Sequence, residues 1–188
     1  MRLIVGISGA SGVIIGYRLL QELQLHKDIE SHLVVSESAE VNFGLETDIS
    51  IAEVIAAADN VYENNNMGAL ISSGSFLTDG MVVAPCSMKT LSGIANGYDT
   101  NLLIRSANVC LKEGRKVVLV PREMPLNTAH LRNMLFAKEN GCCILPAMLT
   151  FYNKSLTLEE QVTHLIGKIL MQFGITPERF NAWTGEKA

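Results

Sequence analysis

Five short runs of apolar residues are spaced along the chain, each bounded by glycine, proline or polar residues. They are rich in valine, isoleucine and leucine and lack polar alternation, which is typical of parallel strands covered on both faces. Buried helix segments can show the same pattern, but the shortness of the runs and their flanking residues favour strands. The predicted strands cover residues 3–7, 32–35, 81–84, 116–120 and 142–145.

Between these runs the apolar spacing changes to that of amphipathic helices. Residues 12–25 carry an apolar stripe wide enough to pack on a sheet. Ser50 and Thr157 each stand three residues before a glutamate, which is the pattern of a capping box. Other predicted helices cover 101–112 with Thr100 as cap, 127–140 ending at Gly141, and the stretch from Thr157 to about 173 ending at Gly174.

Strands that alternate with helices predict an α/β fold with right-handed crossovers. We expect one domain over residues 1–188, built as a three-layer α/β/α sandwich of Rossmann-like or flavodoxin-like type with a mainly parallel sheet. In such sheets ligands bind beyond the carboxyl ends of the strands. The residues that follow each strand are therefore the candidates for a functional site.

Composition narrows the class of protein. Charged residues make up only 18% of the chain and the mean hydropathy is positive, so part of the surface is expected to be buried against other subunits. Fifteen basic against 19 acidic residues argue against a nucleic-acid or membrane partner. The four cysteines lack CxxC spacing, and no residue cluster has metal-ligand spacing, which predicts a cytoplasmic protein with reduced thiols and no metal.

The segment after the first strand predicts an anion site. Glycines at 6, 9 and 12 permit a tight turn, Ser8 and Ser11 supply hydroxyls, and a helix start follows. The spacing is neither GxGxxG nor a Walker loop. A plain tight turn is the alternative interpretation, but the combination favours binding of a phosphate or cofactor.

The next strand ends carry polar residues too. Ser36-Glu37-Ser38 follows the second strand, where it could cap a helix or contact a ribose. Lys89 lies in the turn after the third strand, and Arg122 and Glu123 follow the fourth. An arginine can hold a phosphate with two nitrogens, whereas a surface ion pair would contribute little. Polar clusters at four strand ends favour one shared site.

Seven motifs occur in order over nearly the whole chain. They are VGISGASG at the start, LETD at 45–48, ISSGSF at 71–76, PCSMKTLSGIA at 85–95, LKEGR at 111–115, VPREMPL at 120–126 and FYN at 151–153. In these the chain resembles the UbiX/Pad family of flavin prenyltransferases. The resemblance implies a flavodoxin-like subunit, a dodecamer built of trimers, and FMN at the subunit interface.

The resemblance also implies a reaction. A dimethylallyl group would pass from dimethylallyl phosphate to N5 and C6 of reduced FMN, without a metal, and the prenylated FMN would serve a separate UbiD-type aromatic acid decarboxylase. Residues from about 150 to 188 are expected to pack over the active site and the neighbouring subunit. The alternatives are an FMN-dependent decarboxylase, acting on an aromatic acid or a peptidyl cysteine, and an FMN carrier. The peptidyl-cysteine hypothesis is disfavoured, because related cysteine decarboxylases have a histidine near 71–76 and an asparagine-containing motif after the third strand, where this chain has Ser72-Ser73-Gly74-Ser75 and Ser87-Met88-Lys89-Thr90.

The family's site residues map onto matching positions of this sequence. Phosphate departure calls for cationic and hydroxyl donors, and Glu123, helped by Glu46, or the released phosphate could take the N5 proton. Lys168 stands where the family often has arginine. The implied flavin residues are Gly9, Ala10, Ser11, Ser36, Ser87, Met88, Lys89, Thr90 and Arg122; the implied dimethylallyl phosphate residues are Lys112, Arg122, Tyr152, Lys168 and Trp183; the implied catalytic residues are Glu46, Ser87, Lys112 and Glu123.

Overall fold

Six parallel strands form a single sheet in the computed structural model, which describes residues 1–180 and Gly185. Their order is β3-β2-β1-β4-β5-β6. β2 and β3 therefore lie on one side of β1, and β4, β5 and β6 lie on its other side. The strands are β1 (Arg2–Ile7), β2 (Glu30–Val35), β3 (Asn60–Glu63), β4 (Gly80–Cys86), β5 (Lys116–Pro121) and β6 (Cys143–Ile144). This confirms the predicted parallel α/β fold and places its topological switch between β1 and β4.

Helices cover both faces of the sheet. The first face carries α1 (Ile14–Leu23), α2 (Glu37–Glu46), α3 (Ile51–Ala56) and α7 (Leu158–Met171). The second carries α4 (Met88–Ala95), α5 (Leu102–Lys112), α6 (Thr128–Glu139) and a short 3₁₀ helix (Leu70–Ser72). Each set buries its own apolar core against the sheet, and this gives the three predicted layers.

Side-chain caps fix where most helices begin. The predicted capping boxes at Ser50 and Thr157 are both present. Thr100 was the wrong cap for α5, because the Asn101 side chain accepts the Ile104 amide at 3.0 Å instead. Gly141 and Gly174 have the positive φ expected of residues that end helices.

One glycine sets the distance between a helix and the sheet. A Cβ on Gly16 of α1 would lie 2.4 Å from the carbonyl oxygen of Ala84 in β4. The helix backbone therefore rests directly on the strand, next to the connection that leaves β4. This contact fixes the start of α1 relative to the carboxyl edge of the sheet.

The described residues include no helix that is long and apolar enough to cross a membrane. All four cysteines are free, and Cys86, Cys110 and Cys142 are buried. Burial raises the pKa of the Cys142 thiol to about 11. The cysteines thus pack as small apolar residues, as their spacing predicts.

Candidate active site

The loops after β1 and β4 are joined by the side chain of Ser8. Its buried hydroxyl donates to the Pro85 carbonyl at 2.9 Å and accepts the Ser87 amide at 2.8 Å. The first loop (residues 8–12) and the β4–α4 turn therefore form one rigid edge at the topological switch. A ligand placed there meets both loops together.

Two charged side chains brace the first loop from other parts of the chain. Glu46 accepts the Gly12 amide at 2.7 Å, and Arg122 donates from Nε to the Ser11 carbonyl at 3.0 Å. Both residues were predicted from sequence to lie in the site, and both do touch the loop. Because Arg122 uses only its Nε among the described residues, its two terminal nitrogens can face a phosphate.

The first loop also presses against the start of α2. A Cβ on Gly9 would lie 2.3 Å from the Cβ of Ser38, so only glycine permits this approach. Ser36 caps α2 by accepting the Ala39 amide at 3.2 Å, while its own amide donates to the Ile7 carbonyl. Glycine at position 9 is therefore explained by close packing between two parts of the predicted flavin site.

The turn after β4 presents a helix start to the same edge. The Ser87 hydroxyl accepts the Thr90 amide at 3.2 Å and donates to the Thr90 hydroxyl at 3.1 Å. Met88 is half-buried, and Lys89 is exposed. Residues 87–90 thus combine a capped helix N-terminus with an exposed ammonium group, which suits an anionic ligand.

Glu123 follows Arg122 at the end of β5. Its side chain is exposed and accepts the amide of the adjacent Met124 at 3.1 Å. The carboxylate therefore lies at the same edge as the Arg122 guanidinium. It is open to a ligand that approaches this edge.

Tyr152 and Lys168 both lie near His164 of α7. The Tyr152 hydroxyl lies 3.1 Å from Nε2 of His164, and Lys168 follows one helical turn later. Burial, and then the charge of Lys168, lower the pKa of His164, which favours its neutral imidazole. Trp183, the last residue predicted for this group, lies outside the described residues.

Lys112 lies at the opposite end of the sheet from Arg122. It is the last residue of α5 and comes just before β5 begins, whereas Arg122 comes just after β5 ends. Six residues of strand separate the two ends by roughly 17 Å. One chain therefore does not bring these two predicted phosphate ligands together.

Comparisons with known proteins place the chain in a family. A family model described as Flavoprotein matches residues 1–174. A probable UbiX-like flavin prenyltransferase of Sedimentibacter hydroxybenzoicus is 63% identical, with 100% of this chain and 99% of the relative covered. The chain belongs to the UbiX-like flavin prenyltransferases. The flavin prenyltransferase UbiX of Thauera aromatica is 48% identical over 100% of this chain and 96% of its own.

Solved structures agree with this UbiX-like assignment. A dodecameric FMN-dependent UbiX-like decarboxylase from Escherichia coli O157:H7 superposes with a TM-score of 0.97 at 49% identity, covering 98% of this chain and all of its own. AnUbiX in complex with FMN and dimethylallyl pyrophosphate gives a TM-score of 0.96 at 42% identity, covering 99% and 98%. The family, the fold and the class of enzyme predicted from sequence are thereby confirmed.

The donor groups of this UbiX-like chain fit FMN. The edge offers hydroxyls, two helix N-termini and a guanidinium for a phosphate, and Gly9 lets the first loop lie close to the start of α2. Among the described residues, no group of three or more histidine, cysteine, aspartate or glutamate side chains could hold a metal. The fit is therefore to an anionic organic ligand.

Sequence reasoning missed several residues that shape these surfaces. Ser8 was noted only as a hydroxyl donor, and His164 was not among the candidate site residues. Arg105 and Arg115 were not considered, although Arg115 ends the LKEGR motif. Their roles depend on contacts with distant carbonyl groups, which a sequence pattern does not reveal.

Proposed function

We propose that this protein transfers the dimethylallyl group of dimethylallyl phosphate to N5 and then C6 of reduced FMN, with release of phosphate. The observation that carries the proposal is the rigid edge formed by the first loop, residues 87–90 and Arg122. It is supported by the similarity to AnUbiX, whose structure contains FMN and dimethylallyl pyrophosphate.

FMN would lie along the carboxyl edge of the sheet. When reduced, the flavin supplies the nucleophilic N5. The chain supplies binding and orientation, because the loops that would hold the flavin are cross-linked by Ser8 and braced by Glu46. Preorganisation of this kind lowers the entropy cost of bringing two reactants together. The contributing residues are Gly9, Ala10, Ser11, Ser36, Ser87, Met88, Lys89, Thr90 and Arg122.

Departure of phosphate from the allyl group needs positive charge and hydrogen-bond donors. Arg122 supplies a guanidinium at the flavin edge. Lys112 lies at the opposite end of β5 from Arg122, and Tyr152 and Lys168 lie near His164 of α7. We therefore assign them to sites completed by neighbouring subunits, so that each subunit's flavin edge meets donors from other copies. Such donors stabilise the charge that develops on the leaving group.

A homo-oligomer, and specifically a dodecamer, would supply those neighbouring copies. Apolar side chains are exposed on α6, where Ala137 is the buried residue and Leu131 and Leu135 face outward. An exposed apolar helix face of this kind indicates an interface. The similar protein from Escherichia coli O157:H7 is dodecameric. Residues from about 150 to 188, of which 181–184 and 186–188 lie outside the described residues, would then pack over the active site and against the next subunit.

Glu123 would remove the N5 proton, with Glu46 or the released phosphate in support. The test is anaerobic incubation of the protein with reduced FMN and dimethylallyl phosphate, followed by mass spectrometry of the flavin. Wild-type protein should yield a flavin heavier by one C5 unit, and Glu123→Gln should bind FMN without making this product. Glu40→Gln, an exposed carboxylate of α2, is the control and should remain active. Unaltered flavin from wild-type protein would refute the proposal.

An FMN-dependent decarboxylase is the second candidate, because the similar Escherichia coli O157:H7 structure is described as one. This function would require that the protein alone releases carbon dioxide from a phenolic acid. If the protein were instead only a carrier of FMN, its Glu123→Gln variant would still support the activity of a partner decarboxylase.

The prenylated flavin would pass to a UbiD-type aromatic acid decarboxylase in the cytoplasm. A cytoplasmic location is supported by four free cysteines. Addition of the reaction product to a cofactor-free UbiD-type enzyme should restore its activity. Addition of FMN alone should not.

A further inference from the structure

A short polar loop at the amino edge of the sheet borders Lys112. This loop, called here the serine loop, consists of residues 72–75, starts at the last residue of the 3₁₀ helix and precedes β4. Together with Arg105, Lys112 and Glu113 it lines an open concavity of about 560 Å³. Ser73 and Ser75 are exposed there, so hydroxyl groups and an ammonium group border the same space.

Arg115 donates hydrogen bonds to the serine loop and to the residues that follow it. Its terminal nitrogens donate to the Gly74 carbonyl at 2.6 Å, to the Phe76 carbonyl at 2.9 Å and to the Thr78 hydroxyl at 3.3 Å. A planar guanidinium can satisfy three acceptors at once, whereas an ammonium group is a single point charge. The half-buried Arg115 therefore fixes a stretch of backbone that belongs to neither a helix nor a strand.

A second arginine holds the start of the loop. Nε of Arg105 donates to the Ser72 carbonyl at 3.2 Å, and its Nη1 pairs with Asp99 at 3.0 Å. Both arginines thus bind loop carbonyls. With these carbonyls occupied, the loop is held in one conformation beside the end of α5.

The backbone of the serine loop in turn lies against the end of the Lys112 side chain. Nζ of Lys112 lies 2.5 Å from Oε1 of Glu113. A Cβ on Gly74 would lie 2.1 Å from that oxygen and 3.0 Å from Nζ itself. The ammonium position therefore depends on where Gly74 lies, and Gly74 is held by Arg115.

We propose that Arg115 is a positioning residue for phosphate binding: it fixes the serine loop so that Lys112 presents its ammonium group to the phosphate of dimethylallyl phosphate bound at a neighbouring subunit. The inference rests on the proposed function, in which Lys112 binds that phosphate. It assigns to Arg115 no contact with either substrate. Loss of Arg115 should therefore weaken phosphate binding only because it displaces Lys112.

Binding and turnover of Arg115→Met and Arg115→Lys test the inference. Titration calorimetry with dimethylallyl phosphate on oligomer loaded with oxidised FMN measures binding without turnover. Loss of a charge-assisted anchor should raise the dissociation constant, and the KM for dimethylallyl phosphate, by about 10-fold. The affinity for FMN should not change. Arg115→Lys keeps the charge but not the fork, so it should fall between wild type and Arg115→Met.

Arg2→Met is the matched control for a purely structural effect. The Arg2 guanidinium stacks over the ring of Phe76 at 5.0 Å and pairs with Glu30, but in the part of the chain that the structure describes it binds no carbonyl of the serine loop. It should lower the melting temperature and leave the dissociation constant for dimethylallyl phosphate unchanged. An equal weakening of binding in Arg2→Met and Arg115→Met would overturn the inference.

A double variant decides whether Arg115 acts through Lys112. If it does, Lys112→Met/Arg115→Met should bind dimethylallyl phosphate no more weakly than Lys112→Met alone, because interacting residues give non-additive effects. Fully additive losses, or unchanged binding in Arg115→Lys and Arg115→Met, would overturn the inference. Wild-type protein that makes no prenylated flavin would instead refute the proposed function. The two failures are therefore distinguishable.

Discussion

Single residues at the carboxyl edge serve both the fold and the site. Ser8, Glu46 and Arg122 each hydrogen-bond to a backbone group of another loop. Glu46 and Arg122 could be predicted because family motifs carry them. Their bonds to the first loop could not, since those bonds join residues more than 30 positions apart. Sequence thus indicated the residue types at the site, and the fold determines which of them meet.

Arg122→Lys should weaken FMN binding. The substitution keeps the positive charge but loses the planar fork that bonds to the Ser11 carbonyl and faces the ligand. We expect the dissociation constant for FMN, measured by flavin fluorescence, to rise about 10-fold, the effect of one charge-assisted hydrogen bond. Arg132→Lys, exposed on α6, should bind FMN like wild type. Equal affinities in all three proteins would contradict this role for Arg122.

Gly9→Ala should destabilise the protein and lower its FMN content. The added methyl group would lie 2.3 Å from the Cβ of Ser38, so the first loop must move away from α2. Overpacking of this kind costs about 1–3 kcal/mol in the free energy of unfolding. Gly44→Ala is the control, because a Cβ there meets nothing within 4 Å and alanine favours a helix. A Gly9→Ala protein as stable as wild type would contradict the packing argument.

Elements with continuous apolar runs were predictable, and those without them were not. The runs correctly located β1, β2, β4, β5 and the short β6. β3 was missed because Asn60–Glu63 alternates between half-buried and exposed residues at the edge of the sheet. α2 was considered only as a possible cap, since few of its residues face the core. Edge elements leave a weaker pattern because they bury less of their surface.

β2 contains a buried titratable group, His32, which gives the fold a pH dependence. Burial lowers its pKa below the ordinary value of 6.5, although nearby Glu30 opposes the shift. The folded state therefore binds fewer protons than the unfolded state as the pH falls below about 6.5. The free energy of unfolding should fall from pH 7.5 until the pH reaches the lowered pKa, with a slope of at most about 1.4 kcal/mol per pH unit.

Denaturant unfolding of wild type and His32→Asn at a fixed protein concentration checks this pH dependence. The variant loses the contact with the Tyr62 hydroxyl at 3.0 Å, so it should be less stable at every pH. Its stability should nevertheless change less with pH, because the variant lacks the buried His32 imidazole whose pKa is lowered. Parallel curves for the two proteins would show that His32 does not cause the pH dependence.

At the scale of the whole molecule, the exposed apolar residues and the divided site point to the same assembly. Met124 is 85% exposed, and Leu131 and Leu135 of α6 are more than half exposed. A single subunit would leave this surface in water and would keep Lys112 far from Arg122. The low charge content of the sequence predicted buried subunit surface. It could not locate that surface, because the apolar residues of α6 lie on both its buried and its exposed sides.

Leu131→Glu combined with Leu135→Glu should reduce the size of the assembly. A carboxylate that is buried at a subunit interface without a partner costs several kcal/mol of the free energy of association. Light scattering should show a smaller particle, and turnover should be lost with it. Lys27→Glu, an exposed charge reversal before β2, should leave the mass unchanged. An active monomer would contradict the shared site.

Co-assembly of two inactive variants tests the shared site directly. Lys112→Met and Arg122→Met should each lose activity, because each removes a phosphate ligand. In mixed oligomers a site that takes Lys112 from one subunit and Arg122 from another keeps both residues about one quarter of the time. Activity should therefore return when the two variants are co-expressed. It should stay absent when Lys112→Met is co-expressed with Lys112→Met/Arg122→Met, since neither chain supplies the ammonium group. β5 separates the two residues in every chain. A site built within one subunit would always lack one of them, so mixing could not restore its activity.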